Sequence, residues 1–278
     1  MEVTSFFTEY LGPRILSGLQ TESIRYALGT LTTFFVIWLL LGRLLENRRI
    51  RKPLPRQRQI KQVQMELKNS FFAMAVFVGM DILVFEAANL GLFKKYDDIS
   101  EYGLVWFWLS MPLLIIFHDT YFYWTHRAMH HPKLYKLFHM THHRSHNPTP
   151  FTAYSFAPLE AIVSYLYVPL ALMVIPTHGI ALYTVLTIMI FKNAIGHCGY
   201  EVFPRHWAKL PVLGWLTTVT HHDMHHERGN GNFGLYFTLW DRWMGTEHAN
   251  YLQRLEDQED RARERKHAHQ EAAFAPAE

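Results

Sequence analysis

The chain has a single cysteine, Cys198, in 278 residues. A disulfide framework, a thiolate zinc module and a cysteine-held iron–sulfur cluster are therefore excluded within it, and any metal must rest on nitrogen and oxygen donors. No flavin or nicotinamide signature is present, so electrons for any redox chemistry must arrive from outside. The His-Glu-x-x-His pattern of zinc proteases is missing. The Glu-x-x-His pairs of soluble di-iron carboxylate bundles reduce to one match, Glu264 and His267, in a polar tail. Charge is scarce as well: charged residues make up 18% and the formal net charge is +3. What excess there is lies in one basic stretch and the C-terminal tail, which does not read as nucleic-acid binding. The N-terminus lacks the basic start, apolar core and small-residue cleavage site of a secretory signal, and none is expected.

What the chain does have comes in blocks. The mean hydropathy of −0.05 suggests a soluble protein only because apolar runs and charged segments cancel. Aromatics at 15% suit a chain that sits at membrane interfaces. Residues 1–25 read as mildly amphipathic, lying along a membrane surface. Residues 26–45 are almost wholly apolar and about as long as a spanning helix requires. A basic connector follows (Arg48, Arg49, Arg51, Lys52, Arg56, Arg58, Lys61), the pattern of a cytoplasmic loop. Pro53 and Pro55 keep it from being one continuous helix. A second block, 71–93, is interrupted by Asp81 and Glu86, which would have to face protein or a wet cavity; a shallow or re-entrant helix is the alternative. A third block, 104–124, contains Pro112 as an expected kink. Residues 159–175 and 180–195 form a fourth and fifth, joined by a tight uncharged turn. The expected fold is all-α: a transmembrane bundle of about four to five spans, with a cytosolic helical cap. Residues 1–250 form one domain, and the charged tail, 251–278, is a solvated helix fraying into disorder. No internal repeat or second domain is visible.

The cap is where histidine collects. Eight of the eighteen histidines fall within 118–146, and four more within 220–230. His126 and His130 stand at i, i+4; His139, His142, His143 and His222, His225, His226 each stand at i, i+3, i+4. On a helix these offsets bring the rings of a set to one face. Eight imidazoles exceed the four ligands of a tetrahedral zinc site and suffice for two metals with open positions. Asn193 and His197, again at i, i+4, complete a shell of about ten donors. Imidazole suits iron, copper, nickel and zinc alike, so ligand type alone leaves the metal open. Counting spans from the basic connector puts every cluster on the same, cytosolic, face.

The order HX3H, HX2HH, HX2HH resembles the fatty acid hydroxylase/sterol desaturase superfamily of integral-membrane di-iron oxygenases. Asp119 and Tyr123-Trp124 ahead of His126-Arg127 strengthen the likeness. So do the stretch 147–156 (NPTPFTAYSF), Asn232-Phe233-Gly234, Trp240-Asp241-Arg242 and Gly245-Thr246. The resemblance covers roughly residues 111–246; the three-residue spacing in the first motif is that of sterol-type members, and no fused cytochrome b5 domain is present. It implies metal ligation by His126, His130, His139, His142, His143, His197, His222, His225 and His226. Asn193, a histidine in some relatives, is a further candidate, directly or through a water. His118, His146 and His221 border the site as partners or spectators. Asp119, Asp223, Glu227 and Asp241 are candidates to fix the second nitrogen of a ligating ring. Arg127 and Arg144 are candidates for a lipid head group, and Tyr121, Phe122, Tyr123 and Trp124 for the substrate path. His131, His178, His206 and His248 read as ordinary interface or loop residues.

The function implied is O2-dependent oxidation at two ferrous ions (Fe2+) of a C–H bond in a lipid drawn from the bilayer. Hydroxylation leads, and desaturation or oxidative demethylation is the alternative. A ferredoxin- or cytochrome-type electron donor is expected. So is residence in a membrane, the cell inner membrane of a bacterium or the endoplasmic reticulum of a eukaryote. The more distant alternative is a non-enzymatic membrane metal binder or transporter. Neither the lipid nor the oligomeric state is legible.

Overall fold

In the computed structural model, which describes residues 3–258 and 260, almost all of the regular secondary structure is helical. Four helices are long and apolar enough to cross a membrane: α1 (Phe6–Leu40), α2 (Arg56–Asn89), α3 (Gly103–Met129) and, later in the chain, Gly179–Gly196. Large apolar side chains stand exposed along them, among them Leu28, Phe35, Leu39, Phe71, Leu83, Val105 and Ile116. Apolar exposure on this scale is costly in water and natural in lipid.

The boundaries differ from the sequence reading in three places. Residues from Phe6 onward, expected to lie along the surface, are continuous with the first spanning helix. The second block is one unbroken helix: α2 runs for 34 residues and begins in the basic stretch, directly after Pro55. Its carboxylates are answered by tyrosines, Asp81 by the Tyr165 hydroxyl and Glu86 by that of Tyr10. The expected fourth span is two short helices, Pro158–Tyr165 and Tyr167–Val174, broken at Leu166. Pro169 has no N–H to offer the Tyr165 carbonyl one turn back, which accounts for the break. Pro112, by contrast, sits inside an uninterrupted α3.

The two ends of the bundle have different contents. At one end, two-residue strands β1 (Lys95–Tyr96) and β2 (Thr177–His178) pair in parallel, tying the loop after α2 to the turn before Gly179–Gly196. At the other end the basic connector meets the histidine-bearing segments. Ile50 N donates to the Gly199 carbonyl at 3.0 Å and Glu201 N to that of Arg48 at 2.9 Å. Arg51 donates to Asp223 Oδ2 at 2.9 Å and to the His146 carbonyl at 2.6 Å. The first turns of α2 hold the 147–154 loop there as well: buried Glu66 accepts from Thr149 Oγ1 at 2.5 Å, Thr152 Oγ1 at 3.0 Å and Gln62 Nε2 at 2.8 Å.

Beyond α3 come α4 (Pro132–Phe138) and α5 (Met140–His143). Then follow α6 (Pro158–Tyr165) and α7 (Tyr167–Val174), α8 (Gly179–Gly196), α9 (Val219–Arg228) and α10 (Leu239–Trp243). Residues 251–258 are helical and bury Tyr251 and Leu255 against Ala208 and Met224, so this part of the expected solvated tail is packed. Glu264 and His267 lie outside the described residues.

Candidate metal centre

Each histidine motif starts from an ordinary helical signal. The last turn of α3 carries His126, with His130 as its C-cap. His131 then caps α4 by accepting from Lys133 N at 3.3 Å, with Pro132 in the first turn. At α9, Thr218 Oγ1 accepts from His221 N at 3.2 Å, and the helix stops at Gly229 with φ +70°. That left-handed stop, natural for glycine, turns the chain back toward His130, whose ring lies 3.6 Å from where a Cβ on Gly229 would sit.

These elements gather the nine histidines into two groups, and within each group the ligand-capable nitrogens lie within 4.8 Å of one another. His126, His130, His139, His143 and His225 form the first; His142, His197, His222 and His226 form the second. The triplets do not act as units. The 139–143 triplet sends its i and i+4 rings to the first group and its i+3 ring to the second. The 222–226 triplet does the reverse. Each adjacent pair, His142-His143 and His225-His226, is therefore split between the groups, with ring centroids 5.9 and 5.8 Å apart. His143 and His226 close the seam at 4.7 Å. Two adjoining centres need side chains pointing both ways, and a histidine doublet on a helix supplies that.

The hydrogen bonds fix which nitrogen is bare. His126 Nδ1 donates to the Phe233 carbonyl at 2.9 Å, His225 Nδ1 to the Gly231 carbonyl at 2.8 Å and His197 Nδ1 to the Asn193 carbonyl at 2.7 Å. His139 Nδ1 faces buried Glu160 at 2.6 Å. A neutral imidazole with its proton on Nδ1 presents a lone pair at Nε2. Yet His126 Nε2 lies 2.9 Å from His139 Nε2. In the second group His197 Nε2 lies 2.9 Å from His222 Nε2, 3.0 Å from His226 Nε2 and 3.2 Å from His142 Nε2. Ring nitrogens this close in a buried space, with His126, His139 and His197 bonded through Nδ1, form a donor set that fits a metal ion in each group. Burial and mutual repulsion also keep the rings neutral. They push His197 down to about 4 and His143 to about 3, and hold His139, His142, His222, His225 and His226 well below the usual imidazole value. Neutral imidazole is the metal-binding form.

The residues expected to steady the rings act differently from the sequence reading. Asp119 accepts from Tyr236 N at 2.8 Å and Asp223 pairs with Arg51, so neither reaches a ring of the two groups. Glu227 pairs with Arg254. Asp241 works one step back, accepting from Phe233 N and Gly234 N at 2.8 Å and from Thr246 Oγ1 at 2.7 Å. It thereby holds the backbone whose carbonyl holds His126. Asn193 is in neither group: its amide donates to the Ala153 carbonyl at 2.7 Å, and its contribution to His197 is a backbone carbonyl. His118 meets the Tyr236 hydroxyl at 3.2 Å, His146 is exposed, and His221 is buried with Asp241 at 3.8 Å. Of the four aromatics, Phe122 lines the cleft described below. Tyr121 and Tyr123 are tied to Val163 and Thr246, and Trp124 packs on Trp240. Arg127 donates to the Tyr123 hydroxyl and Arg144 is exposed. Glu160, which contacts a ring directly, went unnoticed in the sequence because it stands in an apolar run with no histidine nearby in the chain.

A cleft within the bundle is lined by His118, Phe122, Phe156, Val168, Asn193 and Leu235 among others. The Phe122 ring lies 4.8 Å from that of His126, tilted by 52°, and Phe156 lies 5.4 Å from that of His142.

Helices long and apolar enough to cross a membrane, capped by two adjoining histidine groups able to hold metal, define the class of histidine-rich membrane proteins. Residues 111–246 match the family model for fatty acid hydroxylase, so this part of the chain is similar to the fatty acid hydroxylase/sterol desaturase superfamily. Relatives include a Delta(7)-sterol 5(6)-desaturase of Gibberella zeae, 30% identical over 68% of this chain and 57% of its own. Lathosterol oxidase of Homo sapiens is 29% identical over 66% and 61% of the two chains. A Delta(7)-sterol 5(6)-desaturase of Schizosaccharomyces pombe is 31% identical over 63% and 59%. The chain thus spans about three-fifths of the length of these relatives. No solved structure matches.

Proposed function

We propose that the protein is a membrane oxidoreductase that uses two histidine-held ferrous ions and O2 to oxidise a C–H bond of a lipid. The observation that carries this reading is the convergence of nine imidazoles in two adjoining groups, beside a cleft whose lining rings Phe122 and Phe156 touch His126 and His142. His126, His130, His139, His143 and His225 would hold one ion and His142, His197, His222 and His226 the other. When bound, the pair of ions supplies the O2-activating, hydrogen-abstracting chemistry that no side chain can perform.

The chain's own residues do the rest. Carbonyls 193, 231 and 233, with Glu160, keep the rings in the tautomer that presents Nε2. Phe122 and Phe156 form an apolar wall beside His126 and His142 that excludes water and guides the lipid. No general acid or base is assigned, because an unactivated C–H bond has no acidic proton. Two electrons and two protons from outside balance the reaction: with O2 they give an alcohol and one water, or an alkene and two waters. A ferredoxin- or cytochrome-type donor is the electron source, and half-buried His130 is the ring of the nine nearest solvent. The basic connector packed beside Asp223 and His146 supports placing the centre on the cytosolic face of the membrane.

Hydroxylation and desaturation share the first hydrogen removal. The names of the relatives favour the alkene and put a sterol-like lipid first among substrates to test. The test is to incubate purified protein in lipid nanodiscs with iron, a reductase–ferredoxin couple and membrane lipid extract. Mass spectrometry should find a lipid that has gained one oxygen or lost two hydrogens. A preparation holding zinc without iron, and consuming no O2, would instead favour a metal binder or transporter.

A further inference from the structure

A row of aromatic rings leads from the first histidine group to the protein surface. Phe233 sits against three members of that group, its ring centroid 5.7 Å from that of His126, 5.3 Å from that of His130 and 5.6 Å from that of His225. Tyr123 follows at 6.2 Å, Trp240 stacks on Tyr123 at 5.9 Å, and Trp243 meets Trp240 at 5.6 Å. Exposure climbs along the row: Phe233 and Tyr123 are buried, Trp240 is half-buried and Trp243 is 62% exposed. The second group has a row of its own, from His142 through Phe156 to Tyr154, but it turns inward to buried Tyr26 and Phe77.

Packing alone does not account for the outward row. Tyr123 is 0% exposed, and a phenylalanine would fill that space without burying a hydroxyl. The hydroxyl instead heads a proton path. Thr246 Oγ1 lies 2.9 Å away and itself donates to Asp241 Oδ1 at 2.7 Å, so Tyr123 is the donor to Thr246. Arg127 donates to the Tyr123 oxygen at 3.2 Å, which leaves the phenol proton directed at Thr246. Tyrosine and tryptophan give up one electron more readily than phenylalanine or histidine, and a phenol does so readily only when its proton has an acceptor. Both conditions are met here.

We propose that Tyr123, Trp240 and Trp243 form a one-electron route that carries oxidising equivalents out of the first histidine group when no lipid is in place. The proposal rests on the lipid-oxidation reading and adds to it an answer to what happens when O2 arrives before the lipid. On that reading O2 takes four electrons, two from the external donor and two from the C–H bond. Without lipid the last two have no source beside the site except its own side chains. The route supplies them one at a time. Tyr123 loses an electron while its proton moves to Thr246 and Thr246 passes its own to Asp241. Trp240 then reduces Tyr123, which takes its proton back. Trp243 reduces Trp240, and a one-electron reductant of the ascorbate class restores Trp243 at the surface. Two such passages, with two protons from solvent, complete the reduction of O2 to two waters.

Conduction is tested without iron. Cys198 is the chain's one cysteine and is buried, so Met244→Cys offers a single accessible thiol beside Trp243 for attaching a ruthenium polypyridyl photo-oxidant. The metal-free full chain, in nanodiscs of one saturated phosphatidylcholine, is flashed in the presence of an electron acceptor. Transient absorption should show a tryptophan radical that decays as a tyrosine radical rises. Tyr123→Phe should abolish the tyrosine signal and Trp240→Phe should lower its yield several-fold. Protection is tested in the iron-loaded, reduced protein exposed to O2 and ascorbate without added lipid extract. Peptide mass spectrometry should find oxygen added around His126, His225 and Phe233 several-fold more often in Trp243→Phe than in the wild type, at equal starting iron content. A missing tyrosine radical, one that persists in Tyr123→Phe, or one undiminished in Trp240→Phe overturns the route. Equal damage in Trp243→Phe and the wild type overturns its protective role. Failure of the oxidation reading would leave the flash result standing, and failure of the route would leave lipid product formation standing.

Discussion

Removing Glu160 probes the metal centre through a residue that would touch no metal. Its Oε1 lies 2.6 Å from His139 Nδ1, both side chains are buried, and its Oε2 has no other partner. In Glu160→Ala the Nδ1–H of His139 loses its acceptor in a place water does not reach, at a cost of about 1–3 kcal/mol. The ring also loses the buried carboxyl partner that fixes its orientation. Losses of this kind lower metal affinity by about 10–100-fold. Only the first group contains His139, so the effect should be one-sided. Titration with a chelator of graded strength should strip one metal from the variant well before the other, where the wild type gives up both at higher chelator. Glu160→Gln keeps an acceptor but not the charge and should fall between the two. Should Glu160→Ala hold both metals with the wild-type chelator midpoint, the steadying role of this carboxylate is refuted.

His142→Ala and His225→Ala, one ring from each group, should each abolish product and reduce iron to one equivalent or less; full activity in either would sink the assignment. Gly231→Ala would put a Cβ 2.4 Å from the Thr246 carbonyl. The displaced backbone carries the carbonyl that holds His225, so the expected outcome is lower iron content in a protein that still inserts and keeps its helical circular dichroism. Arg51→Met leaves the buried Asp223 carboxylate unpaired and should cost about 3 kcal/mol of stability, with partial recovery in Arg51→Met/Asp223→Asn by thermal unfolding in detergent. The metal-free protein should be acid-labile. Its histidines stay neutral in the fold, whereas the unfolded chain takes up protons below about pH 6.5. Their stabilising share is thus intact above that pH and shrinks as pH falls. At about pH 6 each costs about 0.8 kcal/mol, read as a falling unfolding midpoint between about pH 7 and 5.5.

What could be read from the chain and what could not divide along a physical line. The apolar blocks and the histidine spacings are local: a spanning helix needs a run of fixed length, and i, i+3, i+4 offsets are set by helical pitch. Those features survived folding, and all nine histidines named from the sequence lie in the two groups. The starts of α1 and α2 were misjudged because polar residues inside a helix that projects from the bilayer look the same in sequence as a surface segment. Glu66 shows the reason: it is buried only because the 147–154 loop folds over it.

The division of the histidines was hidden for a related reason. Helical spacing puts His139, His142 and His143 on one broad face, but that face is wide enough to serve two centres. Which ring goes where depends on what stands opposite: His126 and His130 on one side, His197 on the other. The carboxylates misled for the opposite reason. Asp119, Asp223 and Asp241 are near the histidines in the chain, and proximity suggested that they bond them. Each instead holds backbone or an arginine, while the carbonyls of Asn193, Gly231 and Phe233 fix the rings. A backbone acceptor leaves no mark in the amino-acid sequence, except where glycine is needed to let it approach, as at Gly231. In a centre built this way the side chains that supply the donors are legible in advance. The groups that aim them become visible only once the segment after α9 has folded back across the helix that ends in His126.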